Sequence, residues 1–254
     1  MEGSQDRAAG ADTAGASGAK AAALSRLCVL RPLPPAVLNE VDAALVDYLA
    51  EALAHVRADV AARLADCDWA PVEAVRVLAF DEIDIARPVL ERSRRLAEDD
   101  LDALARLDRE RRCALARRPV LSERITLTIA ARRELECLEL LAGNPGARLS
   151  EGSAADFANA ARNAPNLQRL LAGRADLKPG LARPLMAVAG DVVKAELAAR
   201  WPDLCAERLD AAIGDALTAP PDDGAAARTI DTLAHQGLLK AADLVRAAEG
   251  GRDA

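Results

Sequence analysis

Aromatic residues are almost missing from this 254-residue chain, which has two tryptophans, two phenylalanines and one tyrosine. Without large rings, a core has to come from close approach of small side chains, and platforms for stacking nucleic-acid bases are scarce. Histidine is rarer still, at His55 and His235. The five cysteines, Cys28, Cys67, Cys113, Cys137 and Cys205, are odd in number, widely spaced and never in a C-x-x-C pair. They read as buried small hydrophobes in a reducing cytoplasm, not as a disulfide or metal framework. No stretch approaches the roughly eighteen apolar residues of a membrane span. The first 23 residues have neither a basic start nor an apolar centre, so they do not read as a signal peptide. The phosphate-loop, dinucleotide, nucleophile-elbow and zinc-protease patterns are all absent, which leaves no warrant for an enzyme, and no cofactor or metal is expected. A net charge of -7 weighs mildly against a polyanionic partner.

Alanine and arginine are plentiful, with 60 and 29 copies. Alanine is the best helix former, and against so many arginines any single one carries little weight. A repeat stands out from this background. Leu64, Leu90, Leu115, Leu141 and Leu171 recur at steps of 26, 25, 26 and 30 residues, each followed about six residues later by a second small or apolar residue. Turn chemistry falls between the two. Asn144-Pro145-Gly146 is a strong breaker, Gly143 and Gly173 sit where left-handed caps would fall, Pro71 and Pro179 suit a first helical position, and Ser122 and Ser150 suit N-caps. Helical spacing follows each turn, as in Val72, Val75 and Leu78, or Leu101, Leu104 and Ala105.

A unit of this length cannot bury its apolar face alone, so neighbours must stack. The expected fold is all-α: an α-solenoid of stacked helical hairpins with no sheet. Residues 1–30 read as a disordered Ala/Gly-rich tail, 31–63 as N-terminal capping helices, 64–200 as the repeat domain and 201–254 as a C-terminal helical cap. The apolar series from Leu38 to Leu64 predicts one long helix or two collinear ones. Beyond Trp201-Pro202, helices are expected over about 203–218, 229–236 and 239–248. Two features resist. Ile125-Thr126-Leu127-Thr128-Ile129 alternates like a strand, yet occupies a slot that is helical in the other units. Pro88 and Pro184 fall in or near the first turns of helices, where each removes a hydrogen bond.

The segments Val77–Ser93, Ala116–Glu123 and Ala142–Ser150 resemble the bacterial family catalogued as domain of unknown function 2336. The likeness spans roughly residues 36 to 200 and is strongest over 77–93. It implies a helical, HEAT-like or leucine-rich-variant repeat protein of alphaproteobacterial type. It implies no activity, since the family has none assigned.

Candidate functional residues are few. His55 lies in an amphipathic segment, but the lysine and glycine that usually follow a phosphoacceptor histidine are missing from His55-Val56-Arg57-Ala58-Asp59. His235 precedes Gly237 as a cation near a helix C-terminus often does. Asp81-Glu82-Asp84 and Glu98-Asp99-Asp100-Asp102 each open an expected helix, where carboxylates suit the dipole, and they lack calcium-loop spacing. Arg106, Arg109, Arg111, Arg112, Arg117 and Arg118 scatter around their helix among acids, more like a self-paired surface than a nucleic-acid footprint. Arg94, Arg95, Arg117, Arg118 and Arg174 recur in equivalent turns and are the expected contacts for an unknown protein or peptide partner. The expected role is thus a non-catalytic, cytoplasmic protein-protein interaction scaffold. The alternatives are a helical-repeat nucleic-acid binder and a signalling component phosphorylated on His55.

Overall fold

The computed structural model describes residues 3–202 together with Leu204. The helices expected beyond residue 202, with His235 and Cys205, lie outside the described residues. Among the described residues the chain is all-helical, with no strand, and forms two compact units, Met1–Ser150 and Glu151–Ala254.

The first unit contains α1 (Gly3–Leu30), α2 (Pro35–Glu51), α3 (Ala54–Leu64), α4 (Val72–Ala79), α5 (Ile83–Arg92), α6 (Glu98–Arg106), α7 (Arg109–Ala116), α8 (Glu123–Ala130) and α9 (Leu135–Gly143). Helices pack on their next-but-one neighbours, which makes two layers. α3, α5, α7 and α9 follow one another in one layer, while α2 packs on α4 and α6 on α8 in the other. Hairpin contacts α4–α5, α6–α7 and α8–α9 join the layers. In the second unit a 3-10 turn (Glu151–Ser153) leads into α10 (Ala154–Ala161), α11 (Pro165–Ala172), α12 (Pro179–Val188) and α13 (Asp191–Arg200), with α10 on α12 and α11 on α13. The stacked hairpins expected from the repeat are present in each unit. All five repeat leucines are buried.

Several expectations are corrected. The segment read as a disordered tail contains α1, which packs on both α2 and α3. Its alanines favour helix, and Ser17, Ala21, Ser25 and Cys28, spaced three to four residues apart, give it a buried stripe of small side chains. The Cys28 carbonyl accepts the Trp69 indole N–H at 2.7 Å, which ties the helix end to the first repeat turn. α2 and α3 are not collinear either. The backbone is extended at Ala52 and Leu53, and the two helices enter different layers.

The alternating run at 125–129 is helical because its pattern also satisfies a helix. Ile125 and Ile129, four apart, are both fully buried, while Leu127 points to the other side and is exposed. Ser122 caps α8 through its hydroxyl. Thr126 donates to the Glu123 and Arg148 carbonyls, and Thr128 to the Arg124 carbonyl and Asp102. The prolines inside α5 and α12, Pro88 and Pro184, would free the carbonyls of Asp84 and Gly180, and both of those residues are exposed, where water can take the bond. The left-handed caps do not fall on glycine. Gly143 is the last residue of α9, Gly173 has φ -69°, and the positive-φ residue beyond α8 is Arg133, at 56°. Pro179 takes the first helical position as expected, whereas Pro71 is the N-cap of α4.

Candidate functional site

Within each unit the turns between hairpins form a ladder in which a turn hydrogen-bonds the one before it. Arg95 Nε donates to the Ala70 carbonyl at 3.0 Å. Arg118 donates to the Leu90 and Ser93 carbonyls. Asn144 Nδ2 donates to the Ala116 and Arg118 carbonyls at 2.8 Å each. In the second unit Arg200 does the same to Arg174 and Ala175. A turn exposes the last carbonyls of a helix, which have no intrahelical partner, and the next repeat supplies the donor. The Asn144-Pro145-Gly146 turn sits close enough for the Leu121 N–H to reach the Gly146 carbonyl and the Arg148 N–H the Leu121 carbonyl, both at 3.0 Å.

This ladder separates the five arginines expected to meet a partner. Arg118 and Arg174 are each 6% exposed, so neither is a surface contact. Among the described residues Arg118 has no carboxylate partner and its Nε is unbonded, and burial pushes its pKa down to about 10. Arg174 forms a paired contact with Asp176 at 2.8–2.9 Å. Arg95 is half-buried on its carbonyl. Arg94 and Arg117 remain outward, with Asp68 at 3.5 Å and Glu91 at 3.9 Å respectively. Recurrence in equivalent turns is therefore a signature of the ladder for Arg95 and Arg118. In sequence, a stacking arginine and a binding arginine look alike.

The other polar groups flagged by sequence are also engaged across repeats. Arg57 holds Asp81, Arg76 holds Asp100, Arg112 holds Glu134 in a two-pronged contact at 2.6–2.7 Å, Arg109 holds Glu136, and Arg111 holds Asp108 and the Asp81 carbonyl. Asp102 accepts from Thr128, Arg106 and Arg124, and Asp99 from Arg124. The Thr128 hydroxyl foremost, with the Arg106 and Arg124 guanidiniums, holds the Asp102 carboxyl below its ordinary range. Among the described residues no cluster of histidine, cysteine and carboxylate has metal-binding geometry. His55 is exposed in the first turn of α3. Cys28, Cys67, Cys113 and Cys137 are buried free thiols, and burial pushes the Cys28 thiol up to about 11.

Open grooves run between neighbouring helices of the first unit. One of about 480 Å³ lies between α2 and α4, lined by Asn39, Asp42, Ala43, Val46, Asp47, Glu73 and Val77. A second of about 320 Å³ lies on α6 and α8 around Arg106, Leu127 and Arg132. A third of about 500 Å³ lies along α5, α7 and α9 among Arg87, Asp108, Arg109, Glu110, Arg117 and Glu136, with Cys113 beneath. The residues around the first groove were missed by sequence reasoning. One of them, Asp42, reaches across from α2 to accept the Glu73 and Ala74 N–H groups at 3.0 and 2.8 Å, capping α4 in place of its own N-cap, Pro71. No local pattern signals a cap that comes from another helix.

No helix among the described residues is long and apolar enough to cross a membrane. No curated protein and no solved structure matches the chain. A family model does match, over residues 85–254, from the first turn of α5 onward. That span begins and ends further along the chain than the resemblance read from the sequence, and it covers about two thirds of the protein, so the chain belongs to the family described as an uncharacterised protein conserved in bacteria (DUF2336).

Proposed function

We propose that the protein is a non-catalytic scaffold that binds another protein or a peptide on its stacked helices. The observation that carries this reading is the run of open grooves between neighbouring helices of a unit whose turns and cross-repeat charges are satisfied internally. A stack held in register by its own buried leucines and turn ladder leaves its outer faces free to be shaped for a ligand. The nucleic-acid reading is weakened because Arg106, Arg109, Arg111 and Arg112 already hold acidic partners. The same scaffold reading places the protein in the cytoplasm, where a reducing pool keeps thiols such as Cys67 and Cys137 unbridged.

Affinity purification of the full chain from its own cells, with hydrogen exchange on the recovered complex, tests the reading. The expected result is a protein partner in fixed ratio that slows exchange along helices lining a groove. Recovery of nucleic acid alone, or of no partner in any growth condition, overturns it.

A further inference from the structure

Between Pro35 and Glu51, α2 bears four carboxylates, Glu40, Asp42, Asp47 and Glu51, and no lysine or arginine. Two of them, Asp42 and Asp47, line the groove against α4, where Glu73 adds a third. Between these acids the groove is apolar, with Ala43 and Val46 on one side and Val77, 39% exposed, on the other. The cation nearest in sequence, Arg76, is shared between α6 and the rim acid Glu73. Its Nε holds Asp100 of α6 at 2.8 Å and its Nη1 is 3.9 Å from Glu73. Asp42 accepts the N-terminal N–H groups of α4 with both oxygens. Asp47 has no ion-pair partner among the described residues and is exposed at the rim. An apolar cleft rimmed by three acids, of which among the described residues Glu73 alone has a cation beside it, at 3.9 Å, complements a helix with the opposite pattern, apolar on one stripe and cationic beside it.

We propose that the α2–α4 groove docks a cationic amphipathic helix of a partner protein. Its apolar side chains enter between Val46 and Val77, and its lysines or arginines meet Asp42, Asp47 and Glu73. The proposal rests on the scaffold reading and adds to it the partner's chemistry and its place of contact. The apolar floor supplies the burial, and the carboxylates set orientation and exclude acidic helices.

The test uses the full chain and a synthetic helical peptide of leucine and lysine with leucines at helix spacing, alongside the same peptide with glutamate in place of lysine. Binding is followed by calorimetry, and the site by hydrogen exchange. The lysine peptide binds and protects α2 and α4, and the glutamate peptide does not bind. The double variant Asp47→Lys/Glu73→Lys and the single variant Val77→Ser each weaken binding about tenfold or more, while Glu196→Lys on α13 changes it by less than about twofold. Asp42 is left intact because it caps α4, and an unchanged urea midpoint confirms that each variant folds.

No binding of the lysine peptide overturns the proposal. Equal weakening by Glu196→Lys, or protection spread over the whole chain, also overturns it, because either would mark attraction to net charge alone. A natural partner that stays bound to the Asp47→Lys/Glu73→Lys chain would likewise remove the groove while leaving the scaffold reading standing. Failure of the scaffold reading itself shows separately, as the absence of any protein partner for the unaltered chain.

Discussion

Asn144 and Arg118 are two rungs of one ladder: the Asn144 amide donates to the Arg118 carbonyl at 2.8 Å, while the Arg118 guanidinium donates to the carbonyls of Leu90 and Ser93 one repeat earlier. Three successive turns are thereby fixed in register by side chains of a single chemical kind, an N–H donor reaching back about 25 residues. The carbonyls involved end helices α5 and α7, so each side chain completes a helix to which it does not belong.

Removing a rung leaves buried carbonyls without donors. Arg118→Ala is expected to destabilise the protein by about 2–3 kcal/mol, the cost of orphaning buried acceptors and losing the packed stem. Arg94→Ala, in the equivalent turn one repeat earlier but exposed, should shift stability by no more than about 0.5 kcal/mol. Urea unfolding of the two variants measures the contrast, and equal effects would deny that the turn arginines divide in this way.

Asn144→Asp tests the direction of the same bonds. The substitution keeps size and replaces the donating amide with an acceptor that faces two carbonyls, so a loss of about 2–4 kcal/mol is expected, partly relieved below the carboxyl pKa when the added group can donate again. Unfolding midpoints at neutral and acidic pH check both parts.

Close approach makes Gly146 irreplaceable for a steric reason. A Cβ built there would lie 1.8 Å from the Pro119 carbonyl oxygen, which is backbone and cannot turn aside. Gly146→Ala should therefore separate the two turns, cost about 1–3 kcal/mol and speed amide exchange at Leu121 and Arg148, whose N–H bonds cross that contact.

Acid should loosen the first unit. Hydrogen bonding from Arg112 holds the Glu134 carboxyl below its ordinary range. The folded chain thus binds that proton more weakly than the unfolded chain, and the stabilisation is complete above the ordinary carboxyl pKa of about 4 and drains as pH falls through the folded value. Glu134→Gln is expected to be less stable at pH 7 and to lose less between about pH 5 and 3 than the parent, as read by urea unfolding at each pH.

The repeat leucines should be the most expensive positions. Leu115→Ala is expected to cost about 2–5 kcal/mol, because Leu115 is fully buried between hairpins. Val120→Ala, at a position 74% exposed and five residues away, should be near neutral. Thermal unfolding of the pair is a direct check.

Much of this architecture is legible in the chain itself. The spacing of Leu64, Leu90, Leu115 and Leu141 marks residues that are all buried in the first unit, and the Asn144-Pro145-Gly146 breaker marks a real turn. The alternation at 125–129 misleads only if read alone, because two isoleucines four apart suit a helix face as well as a strand face. The functional reading of the turn arginines fared differently. Arg94 and Arg118 share a residue type and occupy equivalent turns, yet one is exposed and the other is 6% exposed.

By itself, the sequence determined the helical class, the repeat length and the identity of the core leucines, because periodicity and propensity act over a few neighbouring residues. Only the tertiary structure decided which arginines are buried, that Asp42 caps a helix other than its own, that α1 packs as a helix on α2 and α3, and that α2 and α4 leave an acid-rimmed cleft between them. Most of these depend on groups brought together from distant parts of the chain, where a side chain's surroundings are set by the stacking of whole helices and leave no mark on the residues beside it.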